Sequence, residues 1–255
     1  MRSQMYKYRI IVSSNEENVV SYEVIYKETS LFIKSPKNFS TQILRNLINI
    51  RKPIENYILK HPEFLYSLKP IDIEKSAPEI IKKMAETTKF IGSVGPMASI
   101  AGIIAECLGE KILKLIEKNN LRKFLIIENG GDIFAYIDQP ITVGVYAGEK
   151  SPFSGKIGIK ISLLNQPLGI CTSSGSLGHS LSFGSSDATL IISNSASFSD
   201  ALATATGNLV KTQKDIENAV NFAKFFNQTL FVCIIKEKTI SFWSKTDKIE
   251  VVKIV

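Results

Sequence analysis

Asp200 and Thr204 are the two residues of this sequence whose types and spacing suit a bound metal ion. They are four positions apart in an alanine-rich run with helical character, so a carboxylate and a hydroxyl share one helix face. Magnesium prefers such oxygen donors and completes its shell with waters and phosphates. The same spacing also fits an aspartate that caps its own helix and a threonine that bonds back to a carbonyl. The spacing leaves both interpretations open.

The sequence around this pair is unusual in its charge. Between Lys160 and Lys211 there is no lysine or arginine, although the whole chain has 31 of these residues and a net charge of +7. Small polar residues replace them, with Asp187 and Asp200 as the acidic residues and His179 as the histidine. Solvated faces usually carry Lys and Glu, and cores usually lack hydroxyls. Small polar residues with glycine let a backbone approach a polar ligand, so this stretch is predicted to form a ligand site.

Glycine is confined to the same middle part of the chain. All 15 glycines lie between Gly92 and Gly207, which indicates special backbone geometry there. Residues 128–132, Glu-Asn-Gly-Gly-Asp, suit either a plain hairpin turn or backbone amides that meet a ligand. Residues 92–97 are predicted to form a glycine-proline turn before a helix over 98–117, and the turn would aim the partial positive charge of that helix's N-terminus at a neighbouring group.

His179 is the remaining candidate for chemistry in the polar stretch. Residues 178–182, Gly-His-Ser-Leu-Ser, lack the second glycine of a serine-hydrolase elbow, which argues against a Ser-His-acid hydrolase. His179 is then a ligand contact or proton carrier, or else a structural histidine. Residues 92–97 are neither a Walker motif nor a dinucleotide fingerprint.

The elements that must position these groups indicate an α+β fold. Short turns join most of the predicted strands, which favours antiparallel sheets with helices packed against them. The order of strands and helices is similar before and after residues 138–141. We therefore predict one domain over residues 1–255, built from two duplicated ββααββ-type halves that meet near 138–141. At the N-terminus, residues 6–12 and 19–27 are predicted to pair as a hairpin.

Composition narrows the classes of protein. No apolar run is long enough to span a membrane, and the N-terminus lacks the apolar core of a signal peptide, so a cytoplasmic protein is expected. Three isolated cysteines argue against a disulfide framework and a zinc site. The basic residues are dispersed among Glu and Asp without a recognition motif, which argues against nucleic acid as a partner.

Three short motifs occur in a fixed order along the chain. They are Gly-Pro-Met-Ala-Ser-Ile-Ala-Gly at 95–102, Glu-Asn-Gly-Gly-Asp-Ile at 128–133 and Ser-Asp-Ala-Leu-Ala-Thr-Ala at 199–205. Together they resemble the ApbE superfamily, and most of all a branch that combines Gly-Pro-Met-Ala with Thr-Ser-Ser-Gly, here 172–175, and Gly-His-Ser, here 178–180. The superfamily's flavin transferases move FMN from FAD onto a threonine of a target protein, using magnesium. The resemblance covers roughly residues 27–235.

The resemblance implies a role for individual residues. Asp200 and Thr204 match the side chains that hold magnesium, and His179 is the candidate catalytic residue. The residues implied to contact the flavin nucleotide, FAD or FMN, are Gly95, Pro96, Met97, Ala98, Gly130, Gly131, Asp132, Ser173, Ser174, Gly175 and His179. Magnesium on a pyrophosphate would neutralise charge while a hydroxyl attacks in line.

Two departures from the transferase motifs keep a second activity open. Residues 99–102, Ser-Ile-Ala-Gly, stand where the transferases carry lysine-glycine. Residues 179–184 stand where they carry His-x-x-Asp-Pro-x-Thr-Gly. The sequence therefore predicts a flavin-binding protein that either transfers FMN to an acceptor protein or only binds a flavin or small anion. Self-association into a homo-oligomer is also left open.

Replacing the histidine tests its assigned contact. His179→Ala is expected to weaken flavin binding by about 0.5–3 kcal/mol, the range for a lost ligand hydrogen bond, while the fold stays intact. Flavin titration and thermal melting of the variant measure the two effects. A variant that fails to fold, and that binds flavin normally once folding is rescued, would show a structural histidine instead.

Overall fold

The computed structural model describes residues 11–13, 17–175 and 185–254, so residues 176–184, with His179, lie outside the described part. Twelve strands and six α-helices occur in the described ranges. The strands are β1 Ile11–Ser13, β2 Val20–Tyr26, β3 Thr29–Ser35, β4 Leu125–Asn129, β5 Asp132–Tyr136, β6 Ile141–Gly144, β7 Ile157–Ile161, β8 Leu168–Ser173, β9 Ala188–Ser193, β10 Thr229–Lys236, β11 Thr239–Ser244 and β12 Ile249–Lys253. The helices are α1 Ser40–Lys60, α2 Glu63–Tyr66, α3 Glu79–Ile91, α4 Ile100–Lys118, α5 Ala196–Leu209 and α6 Ile216–Phe225.

Two antiparallel sheets organise these elements. The larger sheet has eight strands in the order β2-β3-β4-β5-β8-β9-β10-β11, and the smaller has the order β1-β6-β7-β12. In the larger sheet, helices α1 to α4 are inserted between β3 and β4, and helices α5 and α6 between β9 and β10. The predicted α+β class with antiparallel sheets is confirmed. The predicted boundary near 138–141 falls at the connection from β5 to β6 and stays a prediction.

The central strands of the larger sheet are buried on both faces, and their side chains alternate between the two. In β4, Leu125 and Ile127 pack under the helices, whereas Ile126 points to the smaller sheet. In β9, Ile191 packs on α5 and its neighbours face the smaller sheet. The helices therefore cover one face of the eight-stranded sheet and the small sheet covers the other.

The predicted N-terminal hairpin is wrong. β1 pairs with β6 in the smaller sheet, with Ile11 opposite Val143. β2 pairs with β3 through a tight turn that places Tyr26 opposite Thr29, and Lys27 takes a positive φ of 52° there. The local turn thus pairs β2 with β3, and β1 joins the smaller sheet. Local pattern shows that both segments are strands, but not which partner each one takes.

Two glycines allow α5 to approach both β8 and α4. A Cβ on Gly169 in β8 would lie 2.3 Å from the Cα of Ala196. A Cβ on Gly102 in α4 would lie 2.2 Å from the carbonyl oxygen of Ala196. Real side chains do not approach a backbone that closely. The first turn of α5 is therefore wedged between the sheet and α4 with no room for a methyl group.

No single helix of the described residues has the length and hydropathy of a membrane span. One pair of helical segments, α3 and Pro96–Lys118, reaches these values when the two are taken together, but the pair is bent by 100°.

The wedge predicts a strong steric effect. Gly169→Ala should lower the free energy of unfolding by about 3 kcal/mol, the upper part of the usual range for overpacking, because the clash is with backbone atoms. Gly207→Ala is the comparison, since its added Cβ meets only side-chain atoms of Ser186 and Thr189, at 3.2 and 3.3 Å. Chemical denaturation of both variants measures the difference. Equal stabilities would mean that α5 does not pack as tightly as described.

Candidate functional site

A row of polar side chains crosses the helix-facing side of the large sheet. Asn129 in β4 is opposite Asp132 in β5, and Asp132 is opposite Cys171 in β8. The Asn129 side-chain amide donates to the carbonyl oxygen of Ala101, at 3.0 Å, and the Cys171 thiol donates to the carbonyl oxygen of Ala196, at 3.3 Å. The row therefore touches the first turns of both α4 and α5.

Asp200 projects from the second turn of α5 to the start of α4. Its Oδ2 accepts the amide of Gly102 at 2.8 Å, and its carboxylate also accepts the amide of Ala101. Amides in a first helical turn have no partner within their own helix, so this carboxylate caps α4. The cap of α5 itself is Ser195, whose hydroxyl accepts the amide of Phe198 at 3.3 Å. The interpretation of Asp200 as a cap of its own helix is wrong.

Asp132 lies close enough to Asp200 for the charge of Asp200 to affect the protonation of Asp132. Burial raises the pKa of Asp132 well above its usual range, and the negative charge of Asp200 raises it further. Burial also raises the pKa of Asp200 to about 7, although the amides of Gly102 and Ala101 oppose the rise. The site holds two carboxylates that cannot both ionise at neutral pH without strong repulsion.

Thr204 lies one turn after Asp200 on α5, and its side chain is buried. Its spacing puts the hydroxyl on the same helix face as the carboxylate. No group of three or more His, Cys, Asp or Glu side chains among the described residues is arranged to hold a metal ion. A cation at Asp200 and Thr204 would therefore take further oxygens from backbone, water or ligand phosphate, as magnesium commonly does.

The Gly-Gly pair forms the two-residue turn between β4 and β5. Gly130 and Gly131 have φ values of 66° and 107°, which residues with a side chain rarely adopt. The amide of Gly131 donates to Oε1 of Glu128 at 3.1 Å. A Cβ on either glycine would meet no atom closer than 3.9 Å. The turn is thus a true hairpin turn, and the space beside it is open next to Asp132.

The Gly-Pro-Met-Ala stretch forms the entry to α4. Residues Pro96–Ser99 are a 3-10 turn, and the carbonyl of Pro96 accepts the hydroxyl of Ser99 at 2.9 Å. A Cβ on Gly95 would lie 1.8 Å from the carbonyl oxygen of Ser67, so packing alone requires this glycine. Met97 and Ala98 are half-buried beside α4 and α5. The structure places this stretch at the helix junction, next to Asp200.

The predicted serine-glycine segment lies at the end of β8, toward the last turns of α5. Ser173 is buried and shares its strand face with Cys171, two residues earlier. The amide of Gly175 donates to the carbonyl oxygen of Ser186 at 2.9 Å. Ser174 follows Ser173 at partial exposure. Ser186 also lies beside Gly207 in the last turns of α5, so Gly175 is far along α5 from its junction with α4. His179 lies outside the described residues.

Glu106 is a residue of this region that sequence reasoning missed. It is 6% exposed, and its Oε2 accepts the hydroxyl of Ser195 at 2.8 Å and the amide of Ser197 at 2.9 Å. Its Oε1 pairs with Nζ of Lys83 at 2.5 Å. Burial alone would raise the pKa of Glu106, but Lys83 and the α5 donors hold it below its ordinary value. The sequence did contain a signal for Glu106, namely an acidic residue in the first half of a predicted helix that is otherwise made of small and apolar residues.

Comparisons with known proteins agree with this geometry. A family model described as AbpE bacteria matches residues 12–223. The chain belongs to the ApbE superfamily. A UPF0280 protein of Methanococcus maripaludis strain C7 is 40% identical over 223 residues, covering 83% of this chain and 86% of that protein. A UPF0280 protein of Methanocaldococcus jannaschii is 38% identical over 203 residues, with coverage of 78% and 79%.

Two solved structures show that this ApbE-superfamily chain shares the ApbE fold. The ApbE protein of Thermotoga maritima has a TM-score of 0.58 at 12% identity and covers 88% of this chain and 96% of its own. The flavin transferase ApbE of Vibrio cholerae has a TM-score of 0.56 at 11% identity, with coverage of 92% and 96%. The resemblance drawn from the three motifs is confirmed, and so is the fold.

The raised pKa of Asp200 predicts a pH-dependent stability. Its ordinary pKa is 3.8 and its folded value is about 7, so the folded protein holds a proton that the unfolded chain releases. Stability from this group is complete below about pH 4 and is lost as the pH rises through 7. Asp200→Asn removes the loss and still accepts the α4 amides. Without ligand, the variant should match wild type near pH 4 and exceed it by about 1–3 kcal/mol at pH 8.

Thermal and urea melts of both proteins between pH 4 and pH 8 measure this difference. Carboxylates away from the site titrate equally in the two proteins and cancel. Asp132 loses the charge of Asp200 that raises its pKa, which adds to the difference at high pH. A difference that stays constant across this range would show that Asp200 has an ordinary pKa in the folded protein.

Proposed function

We propose that this protein binds a flavin nucleotide together with magnesium at the junction of α4 and α5, and transfers FMN from FAD to a hydroxyl of an acceptor protein. One observation carries the proposal. Asp132 and Asp200 face each other at the N-terminus of α4, and the main influences on their pKa values among the described residues include no lysine, arginine or histidine. A divalent cation would compensate the charge of this pair.

The available oxygen atoms fit magnesium. Asp200 offers a carboxylate, Thr204 a hydroxyl and the 3-10 turn at Pro96–Ser99 backbone carbonyls, all of them hard donors. A cation held there would lower the negative charge on a pyrophosphate and on its leaving phosphate. The open space beside Gly130 and Gly131 supports a planar ligand group next to this position.

The proposed transfer is a displacement at phosphorus. The acceptor hydroxyl oxygen forms a bond to the FMN phosphorus of FAD. The bond from that phosphorus to the bridging oxygen breaks, and AMP leaves with the electron pair. The hydroxyl proton goes to a basic group, for which the sequence offers His179.

The names of the solved neighbours support the same activity. Two of them are described as flavin transferases, from Pseudomonas stutzeri and Vibrio cholerae. At 11% identity they share the fold, so the activity of this chain stays a proposal. The second candidate is flavin binding without turnover. It is favoured by residues 99–102, which are uncharged where the transferases carry a lysine.

Product analysis separates the two activities. The protein is incubated with FAD and magnesium, and AMP release is followed by chromatography, with and without a threonine-containing acceptor protein. AMP release that requires magnesium supports transfer or its hydrolytic side reaction. Flavin binding without AMP supports the binding protein. A protein that shows neither binding nor AMP release contradicts both candidates.

Asp200→Asn tests the cation site directly. Wild type should gain about 2.7 kcal/mol of stability from FAD plus magnesium when the ligand is near a hundredfold its dissociation constant. The variant should lose the magnesium-dependent part of this gain, because it lacks the negative charge. Thr204→Val should lose less, since it deletes a neutral oxygen at similar shape.

Asp187→Asn is the matched control. Asp187 belongs to the same polar stretch as Asp200, but its carboxylate accepts the amide of Glu237 and not an amide of α4. It should respond to magnesium and FAD as wild type does. A full magnesium response of Asp200→Asn would restrict Asp200 to capping α4.

A further inference from the structure

Two carboxylates tie α4 and α5 together by capping each other's helix. Asp200, on α5, accepts the amide of Gly102 in the first turn of α4. Glu106, on α4, accepts the amide of Ser197 in the first turn of α5. Each carboxylate faces the partial positive charge of the helix to which it does not belong. The two contacts form one reciprocal clamp, with the wedged Ala196 between them.

The Glu106 half of the clamp is buried and fully engaged. Oε2 accepts three groups of α5, namely the hydroxyl of Ser195 at 2.8 Å and the amide and hydroxyl of Ser197 at 2.9 and 3.3 Å. Oε1 pairs with Lys83 of α3. Glu106 therefore fixes the first turn of α5 against two neighbouring helices.

We propose that Glu106 is a positioning residue for the cation site, which acts by setting where Asp200 stands. The proposal rests on the proposed function for its link to magnesium. A helix is stiff over one turn, so a displacement of its first turn carries Asp200, four residues after Ala196, with it. Metal ligands must be placed within about 0.2 Å, so a small displacement of α5 is enough to weaken binding.

The contact between Asp200 and Gly102 gives a direct readout that needs no ligand. Selective ¹⁵N-glycine labelling gives at most 15 amide resonances from this chain. The Gly102 resonance is identified as the one that shifts most in Asp200→Asn, because its amide loses a charged acceptor. Glu106→Gln should move this resonance in the same direction, and the remaining glycines report that the fold is retained.

A second variant excludes a purely local effect, because Glu106 and Gly102 are neighbours on one helix. Ser195→Ala removes a Glu106 contact from the α5 side, 93 residues away from Gly102 in the chain. It should move the Gly102 resonance as Glu106→Gln does. Glu110→Gln, at an exposed position one turn further along α4, should leave it in place.

The outcomes are distinct. Shifts in both Glu106→Gln and Ser195→Ala support the clamp. A shift in Glu106→Gln alone, or in neither variant, overturns it. If Glu106→Gln does not fold, Ser195→Ala decides by itself.

A magnesium titration in the presence of FAD, followed by melting temperature, connects the clamp to the site. Glu106→Gln should raise the magnesium midpoint about 10–100-fold, as is typical when a partner that orients a metal ligand is removed. Glu110→Gln should keep the wild-type midpoint. A wild-type midpoint in Glu106→Gln overturns the positioning role and leaves the proposed function intact. A wild type that does not respond to magnesium and FAD contradicts the proposed function, and the resonance shifts then decide the clamp alone.

Discussion

The close approach of α5 to α4 and β8 is the constraint on which the rest of the site depends. It exists because Gly102 and Gly169 carry no side chain where the backbone of Ala196 passes. At this separation the side chains of each helix reach the first turn of the other. Amides that would otherwise need water are capped by Asp200 and Glu106 across the crossing. The glycines thus decide which donors and acceptors meet, and the carboxylates stabilise the crossing that results.

The crossing also explains why the pKa values of the two site aspartates are raised. It brings Asp200 down onto the sheet, where Asp132 lies between Asn129 and Cys171 in the polar row. Burial there weakens the hydration of both carboxylates and so raises both pKa values, and the negative charge of Asp200 raises the pKa of Asp132 further. A lysine at this point would neutralise the pair permanently. Residues 161–210 of the sequence contain no lysine or arginine that could do so.

Sequence reasoning could predict the parts of the fold that depend on local pattern. Alternation and turn residues located the strands, and the three motifs identified the superfamily. The row of Asn129, Asp132 and Cys171 was not predictable, because it depends on the register between strands that are distant in sequence. The pairing of β1 with β6 was missed for the same reason. Glu106 was missed because its partners are on α5, 89 and 91 residues further along the chain.

The spacing of Asp200 and Thr204 suggested two interpretations, a metal ligand or a helix cap, and treated them as alternatives. The two interpretations do not exclude each other, because one aspartate can have more than one partner. In the structure the amide of Gly102 binds Oδ2 of Asp200. A carboxylate has two oxygens with several lone pairs, so accepting the amides of Gly102 and Ala101 leaves it further acceptor capacity. The amides also hold the carboxylate in a fixed orientation, which lowers the entropy lost when a cation binds. Capping α4 therefore does not exclude the proposed magnesium site, because one carboxylate can accept amides and bind a cation at the same time.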